Sequence, residues 1–354
     1  MSTPTSPLLE PAAPSAPAIL DRCRELVRPA LVEAIGELHP WTGEMAAFAL
    51  GWRDTTGVPA SDASEGKGVR QALAVLGAEA AGADGEAATA GAVAVELIHT
   101  FSLLHDDVMD GDGTRRRRET VWKAYGTGPA VLAGDALFAL AMQTLAEACP
   151  TRPAALPRLC ATLTELVRGQ TEDLLFESRP WTGPNAVRPD EYRAMAERKT
   201  GALLGCAGAL GALLGGAPPA TVTALDQAGR HLGVAFQAID DLLSLQGDPT
   251  RTGKPVHSDL QNGKKTYPVL SALAKGDHTS QELAQLLNSP TPLDHAALTQ
   301  AATLIEETGG TTATRTEATH HLTAAHTHLH TTPLTPQATR DLTTLTTHLH
   351  HRTT

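Results

Sequence analysis

Aromatic side chains are scarce in this sequence: Phe, Trp and Tyr together make up 3% of its 354 residues. A core with so few rings must be filled by Ala, Leu and Val, which dominate the 42% apolar content and favour helices over sheets. Basic residues are in deficit too, 28 Lys and Arg against 39 Asp and Glu, for a net charge of −11. That balance argues against nucleic acid as a general partner. The four cysteines, Cys23, Cys149, Cys160 and Cys206, form no CxxC pair. They read as reduced core residues of a cytosolic protein rather than a disulfide framework. Long hydrophobic runs are missing as well. The longest uncharged run free of proline and threonine, "GALLGCAGALGALLGGA" at 201–217, is shorter than about 20 residues and rich in Gly and Ala. It predicts a buried helix and no stable membrane insertion. The first 18 residues, "MSTPTSPLLEPAAPSAPA", have neither the basic start nor the apolar core of a secretory signal. Their composition predicts a disordered tail over 1–18. Its apolar knot "PLLEP" is able to dock on another protein, though a solvated extension is the favoured reading.

What is present is helical patterning from residue 18 onward, broken by Gly/Pro loops such as "SRPWTGPNAVRPD" and "LQGDPTRTGKP". About ten or more helices fit, no segment alternates convincingly as a strand, and no linker divides the chain, so a single all-helical domain is expected over 19–354. The last 60 or so residues are crowded with Thr and His. Leu322, Ala325 and Leu329 keep helical spacing, as do Leu342, Leu345 and Leu349. This predicts two amphipathic helices with Thr and His on their wet faces. His326 and His330 are spaced to grip a metal, but with no matching acid a solvated face is preferred.

The densest charge pattern is "LLHDDVMDGDGTRRRRET", 103–120. Asp106 and Asp110 share one helix face a turn apart, where like charges repel. A cation between them removes the repulsion, and an all-oxygen site selects a hard ion such as Mg²⁺ completed by phosphate oxygens. Alone, this pattern is also that of a solvated helix end. A second pair, Asp240 and Asp241, follows another apolar helical run in "FQAIDDLLSLQGDPTRTGKP". Two such helices facing each other would line a cavity with carboxylates on opposite walls, able to hold several Mg²⁺ ions and a diphosphate. Lys67, Arg70, Arg115, Arg116, Lys199, Lys254 and Lys264 stand beside these acids or next to Gly-containing turns.

Together, "DDVMD" with its following arginines and "FQAIDDLL…GD…TGK…SDL…GKKTYP" resemble the trans-isoprenyl diphosphate synthases, the polyprenyl synthetases that elongate prenyl chains head to tail. The resemblance spans roughly 25–350. It implies an all-α, isoprenoid-synthase-type helical bundle around a deep central cavity, a homodimer, and Mg²⁺ with three ions per active site. Residue by residue it implies that Asp106, Asp110 and Asp240 ligate metal, with Asp107 and Asp241 as supporting acids. Lys67, Arg70, His99 and Arg116 match the pocket for isopentenyl diphosphate. Arg115, Lys199, Lys254 and Lys264 match residues that grip the allylic diphosphate. Lys199, Thr200 and Gln237 match positions at the reacting centre. Departures exist: the first basic motif reads Glu65-Gly66-Lys67-Gly68-Val69-Arg70-Gln71, one arginine short, and Ser244 stands where an Asp is typical. Weaker metal support, not loss of activity, is the expected consequence. Arg352 only loosely matches a family tail that closes over substrate.

The resemblance also explains why no Ser-His-Asp or Cys-His arrangement is visible. Metal and fixed cations would stabilise the leaving diphosphate, isopentenyl diphosphate would attack the allylic cation, and the diphosphate would take the proton in a dry cavity. The chain should grow down the helix bearing "HTFSLLHDD", where the helical rise puts Phe101 roughly 7.5 Å and Ser102 roughly 6 Å below Asp106. Only Phe101 is large, which favours geranylgeranyl diphosphate (C20) over farnesyl diphosphate (C15). Phe101 would serve equally as ordinary core packing. Two rivals are a class I terpene cyclase, which needs a different second metal motif, and a non-catalytic subunit of a homologous synthase, which usually loses one acidic motif.

Overall fold

The computed structural model describes residues 14–60, 66–148, 150–247 and 256–350, apart from the side chains of 349 and 350. Helix α1 (Ala16–Gly36) starts inside the stretch read as tail. Ser15 caps it by accepting Ala18 N at 3.4 Å, and a proline occupies its first turn, where no backbone donor is missed. The segment "PLLEP" lies outside the described residues. Helices α2 (Pro40–Ala49), α3 (Val69–Ala80) and α4 (Thr89–Asp110) follow. After a short hairpin come α5 (Val121–Tyr125), α6 (Thr127–Ala148), α7 (Ala155–Ser178) and α8 (Pro189–Ala196). A π-helical turn (Glu197–Gly201) leads into α9 (Ala202–Leu214) and α10 (Pro219–Gln246). The C-terminal part adds α11 (Ser258–Gln261), α12 (Tyr267–Leu273), α13 (His278–Leu287), α14 (His295–Glu307), α15 (Gly310–Thr331) and α16 (Pro336–His350).

The all-helical bundle expected from sequence is what forms. The uncharged run becomes α9, nearly all buried, packed between α3 and α10. Small residues make this possible: a Cβ on Gly211 would collide with the carbonyl of Ala74. Around α9 one cluster joins Leu76, Leu97, Ile98, Leu137, Leu159, Leu203, Leu210 and Leu232. Each such fully buried side chain contributes about 1.5–3 kcal/mol. A smaller cluster under α12, α13 and α14 centres on Leu245, Val269, Leu283 and Ile305. Two stretches, Gly85–Asp110 and Thr127–Ala148, have the length and apolar composition of a membrane span, but the first is mostly buried inside the protein and ends on three aspartates.

Three expectations need correction. The arginine run does form strands, β1 (Thr114–Arg115) and β2 (Arg118–Glu119), each only two residues long and so too short for alternation to be visible. Cys23 and Cys206 are buried, but Cys160 is exposed on α7, and Cys149 is outside the described residues. The two Thr/His-rich helices exist, with Leu322, Ala325, Leu329, Leu342 and Leu345 buried, yet their histidines are not all on the wet face. His321 Nδ1 meets His231 Nδ1 of α10 at 2.8 Å, and His328 stacks on His231 with ring centroids 5.6 Å apart. His326 bonds Thr346 Oγ1 at 2.6 Å.

The His231–His321 bond needs one donor and one acceptor, so it fails when both rings are protonated. Burial, then His321, His328 and His320, push the His231 pKa down to about 4. Glu317 also stands at this seam, bonded to His321 Nε2 at 3.2 Å and ion-paired with Arg193. A depressed histidine stabilises the fold above its unfolded value near 6.5 and loses that contribution as pH falls toward 4. The melting temperature should therefore drop between pH 6.5 and 5, and drop less in His231→Gln. Parallel curves for the two proteins would reject this role.

Candidate active site

The cavity encloses about 2010 Å³ between α3, α4, the hairpin, α7, the π-turn, α10 and α11. Asp106 and Asp110 line it from α4, and Asp240 and Asp241 from α10. A third acidic wall was not read from the sequence: Asp173 on α7 lines the cavity and Glu177 lies one turn on. Its trace in the sequence is the shared helical face of Gln170, Asp173 and Glu177 in "GQTEDLLFES", which a solvated helix would show equally.

Cations hold these walls together. Lys199 Nζ lies 2.6 Å from Asp173 and 3.5 Å from Asp106. Lys264 Nζ lies 2.8 Å from Asp110 and 2.5 Å from Glu177. Both acquire raised pKa values: burial opposes the charge, but the carboxylates outweigh it, and Lys264 is carried above its ordinary range. Its neighbour Lys265 bonds no carboxylate among the described residues. Its ammonium stands 3.5 Å from the ring centre of Trp181, and burial, partly opposed by Glu177, lowers its pKa to about 8. Lys254 and Arg352 lie outside the described residues. The π-turn explains why Lys199 and Thr200 both reach the cavity: widening one helical turn shifts the side-chain phase. Thr200 Oγ1 donates to Gln237 Oε1 at 3.0 Å, and Gln237 Nε2 donates to Asp241 at 3.3 Å.

A second, basic region adjoins the first. Lys67, Arg70, His99 and Arg116 all line it. Arg70 is half-buried, its Nε shielded from solvent with no hydrogen-bond partner, and desolvation reinforced by Arg116 lowers its pKa to about 10. Burial, then Arg70, Arg116 and Arg115, hold His99 well below its ordinary value, so its imidazole is neutral at pH 7. Buried Glu96 beneath them offsets part of the positive charge. Cations crowded at this cost in desolvation form a ready site for an anion.

The four arginines of the hairpin have four different fates. Arg115 binds Asp107 through Nε and a terminal nitrogen, both at 2.8 Å. Arg116 faces the basic region beside Gly66. Arg118 donates to the carbonyls of Phe48 and Arg53 at 3.2 and 2.7 Å. Arg116 and Arg117 form the turn itself with φ of 52° and 63°. Positive φ at both central residues matches the twist of a two-residue hairpin, but is a conformation arginine resists. The strain is stored where it aims Arg116 at the cavity.

Asp107 and Asp241, read as supporting acids, are both buried. Asp241 accepts Tyr192 Oη at 2.5 Å and Tyr267 N at 2.9 Å, and burial raises its pKa to about 7. It ties α10 to α8 and α12. Ser244 is the departure from the family pattern. Its hydroxyl lies 3.3 Å from Ser258 Oγ and accepts Asp259 N at 3.4 Å. The serine thus anchors α11, which brings another acid, Asp259, to the cavity. Phe101 and Ser102 line the lower part, and the Ser102 hydroxyl is turned back to donate to His99 O at 2.8 Å.

The donors on the acidic walls are all carboxylate oxygens, the set that suits a hard divalent cation. Ammonium groups lodged between those carboxylates show that positive charge is what the space accepts. Among the described residues no three His, Cys, Asp or Glu side chains converge on one point. That fits Mg²⁺ completed by phosphate oxygens and water rather than caged by protein.

The polyprenyl synthetase family profile matches residues 60–305, more than half of the chain. The chain belongs to the polyprenyl synthetase family. It is 44% identical over 309 residues to the (2E,6E)-farnesyl diphosphate synthase of Mycobacterium tuberculosis, covering 86% of this chain and 84% of that one. It is 43% identical over 297 residues to the geranylgeranyl diphosphate synthase of the same organism, covering 83% of each. The crystal structure of a polyprenyl synthetase from Streptomyces coelicolor A3(2) superposes with a TM-score of 0.87 at 42% identity, over 94% of this chain and 98% of that one. This polyprenyl synthetase is a prenyltransferase of the trans-prenyl diphosphate synthase type.

The strain in the hairpin is measurable. Arg117→Gly should leave thermal stability within about 1 kcal/mol of wild type, whereas β-branched Arg117→Val should cost about 1–3 kcal/mol. Equal melting temperatures for the two variants would show that the turn carries no strain.

Proposed function

We propose that this protein condenses isopentenyl diphosphate with allylic diphosphates head to tail and releases geranylgeranyl diphosphate (C20). The observation that carries the length assignment is Phe101, a single ring roughly 7.5 Å below Asp106 by helical rise, with small Ser102 beside it. Relatives bearing both farnesyl and geranylgeranyl names match about equally well, so the length rests on the cavity alone.

In this reading Lys67, Arg70, His99 and Arg116 hold the diphosphate of isopentenyl diphosphate. Arg115, Lys199, Lys254 and Lys264 hold the allylic diphosphate, and Asp106, Asp110 and Asp240 hold three Mg²⁺ ions. When bound, Mg²⁺ would neutralise the diphosphate and make it a better leaving group. The lysines and arginines stabilise the charge that grows as the allylic C–O bond breaks. Oxygens of Thr200 and Gln237 face the resulting cation. The double bond of isopentenyl diphosphate attacks it, and a proton passes to the released diphosphate. The apolar lining excludes water that would quench the cation. The protein acts as a soluble cytoplasmic homodimer, its interface the apolar face formed by Val131, Leu132 and Phe138 of α6 and Val167 and Leu175 of α7, all exposed in the single chain.

The test supplies Mg²⁺, isopentenyl diphosphate and dimethylallyl, geranyl or farnesyl diphosphate. A linear C20 diphosphate is expected. Accumulation of C15 would refute the length assignment, and a cyclic hydrocarbon formed without isopentenyl diphosphate would reveal a cyclase. Asp106→Ala and Asp240→Ala should each lower turnover by about 10³-fold or more while folding normally. Phe101→Ala should lengthen the product. Near-normal rates in either aspartate variant contradict the metal assignment.

A further inference from the structure

Phe101 does not stand alone. Its ring meets His105, one turn above it on α4, edge-on with centroids 4.8 Å apart and planes at 68°. On its other side it meets Phe138 of α6 at 5.5 Å and 55°. His105 is in turn fixed by α6: its Nε2 lies 3.1 Å from the carbonyl oxygen of Val131. The imidazole fits only because residue 134 is glycine, since a Cβ there would collide with Nε2. Gly134 and Phe138 are themselves one helical turn apart and face His105 and Phe101 respectively. Two steps on α4 are therefore matched by two steps on α6. Phe101 and His105 line the cavity, while Gly134 and Phe138 stand behind them.

We infer that Gly134 and Phe138 set product length by positioning His105 and Phe101. The inference rests on the reading that a prenyl chain grows down this cavity from Asp106. A growing chain would press on Phe101 from the cavity, and Phe138 backs the ring on its α6 side. Edge-on aromatic contacts hold a ring in a defined orientation beyond simple area burial. The imidazole above presents a ring whose bonding nitrogen is already engaged by a carbonyl, so the surface left facing the chain is carbon-rich. Gly134 is buried, and a methyl there would push the imidazole away from α6, toward the cavity that His105 lines. Phe138→Ala and Gly134→Ala thus act in opposite senses on the same floor. Neither residue touches substrate; both are positioning residues.

The experiment compares product lengths of wild type, Phe138→Ala, Phe138→Leu and Gly134→Ala by mass spectrometry, with Mg²⁺, isopentenyl diphosphate and geranyl diphosphate. Melting temperature and molecular mass are recorded for each. Relative to wild type, Phe138→Ala should extend the main product by at least one isoprene unit. Phe138→Leu should restore most of the wild-type distribution, and Gly134→Ala should shift it toward C15. A purely structural role would change melting temperature and total rate but leave the length distribution alone, and that result overturns the inference. If Phe138→Ala fails to fold or assemble, Gly134→Ala, away from the exposed apolar face, decides the matter. The wild-type product alone tests the C20 reading, whereas only the displacement from it tests the roles of Gly134 and Phe138. The two can fail separately.

Discussion

The structure depends on balancing an excess of carboxylates gathered around one partly enclosed space. Asp106 and Asp110 from α4, Asp173 from α7 and Asp240 from α10 line a single cavity. Unneutralised, charges at this separation in a medium of reduced dielectric repel by several kcal/mol. Lys199 and Lys264 supply the balance, each bridging an acid of α4 to an acid of α7. In the proposed reading, a bound metal–diphosphate complex would supply positive ions to these carboxylates, and Lys199 and Lys264 would be freed to pair with phosphate oxygens.

The scaffold follows from that requirement. Acids on three helices must be made to face one cavity, and loops would hold them less firmly. Close packing of α9 on α3 and α10 through small residues fixes the helices that surround the cavity. Buried Asp241, bonded to Tyr192, Tyr267 and Gln237, locks the rotation of α10 that points Asp240 inward. The strained arginine hairpin does the corresponding work on the other side, pairing Arg115 with Asp107 and presenting Arg116.

Much of this was legible from residue types and spacing. Helical periodicity gave the bundle, the uncharged run gave α9, and the acid pairs of α4 and α10 gave two walls. Asp173 and Glu177 were overlooked because, without the fold, nothing separates their spacing in α7 from an ordinary solvated face. Lys264 and Lys265 are chemically alike in sequence, and only the location of Trp181 tells which one serves the acids. The histidines of α15 looked solvated because their hydrophobic partners were easy to find, whereas His231, 90 positions from His321, was not. Phe101 stood out in the sequence as a candidate floor and does line the cavity, but Phe138, which backs it, comes from a helix whose alignment with α4 is a tertiary fact.

Calorimetry with inorganic pyrophosphate probes the central claim without any turnover. The account predicts binding to the wild-type protein in the presence of Mg²⁺, abolished by chelation, and weakened about tenfold or more by Asp106→Asn and equally by Asp240→Asn. Binding indifferent to Mg²⁺, or unaffected by loss of either aspartate, would mean that the two walls do not share a ligand.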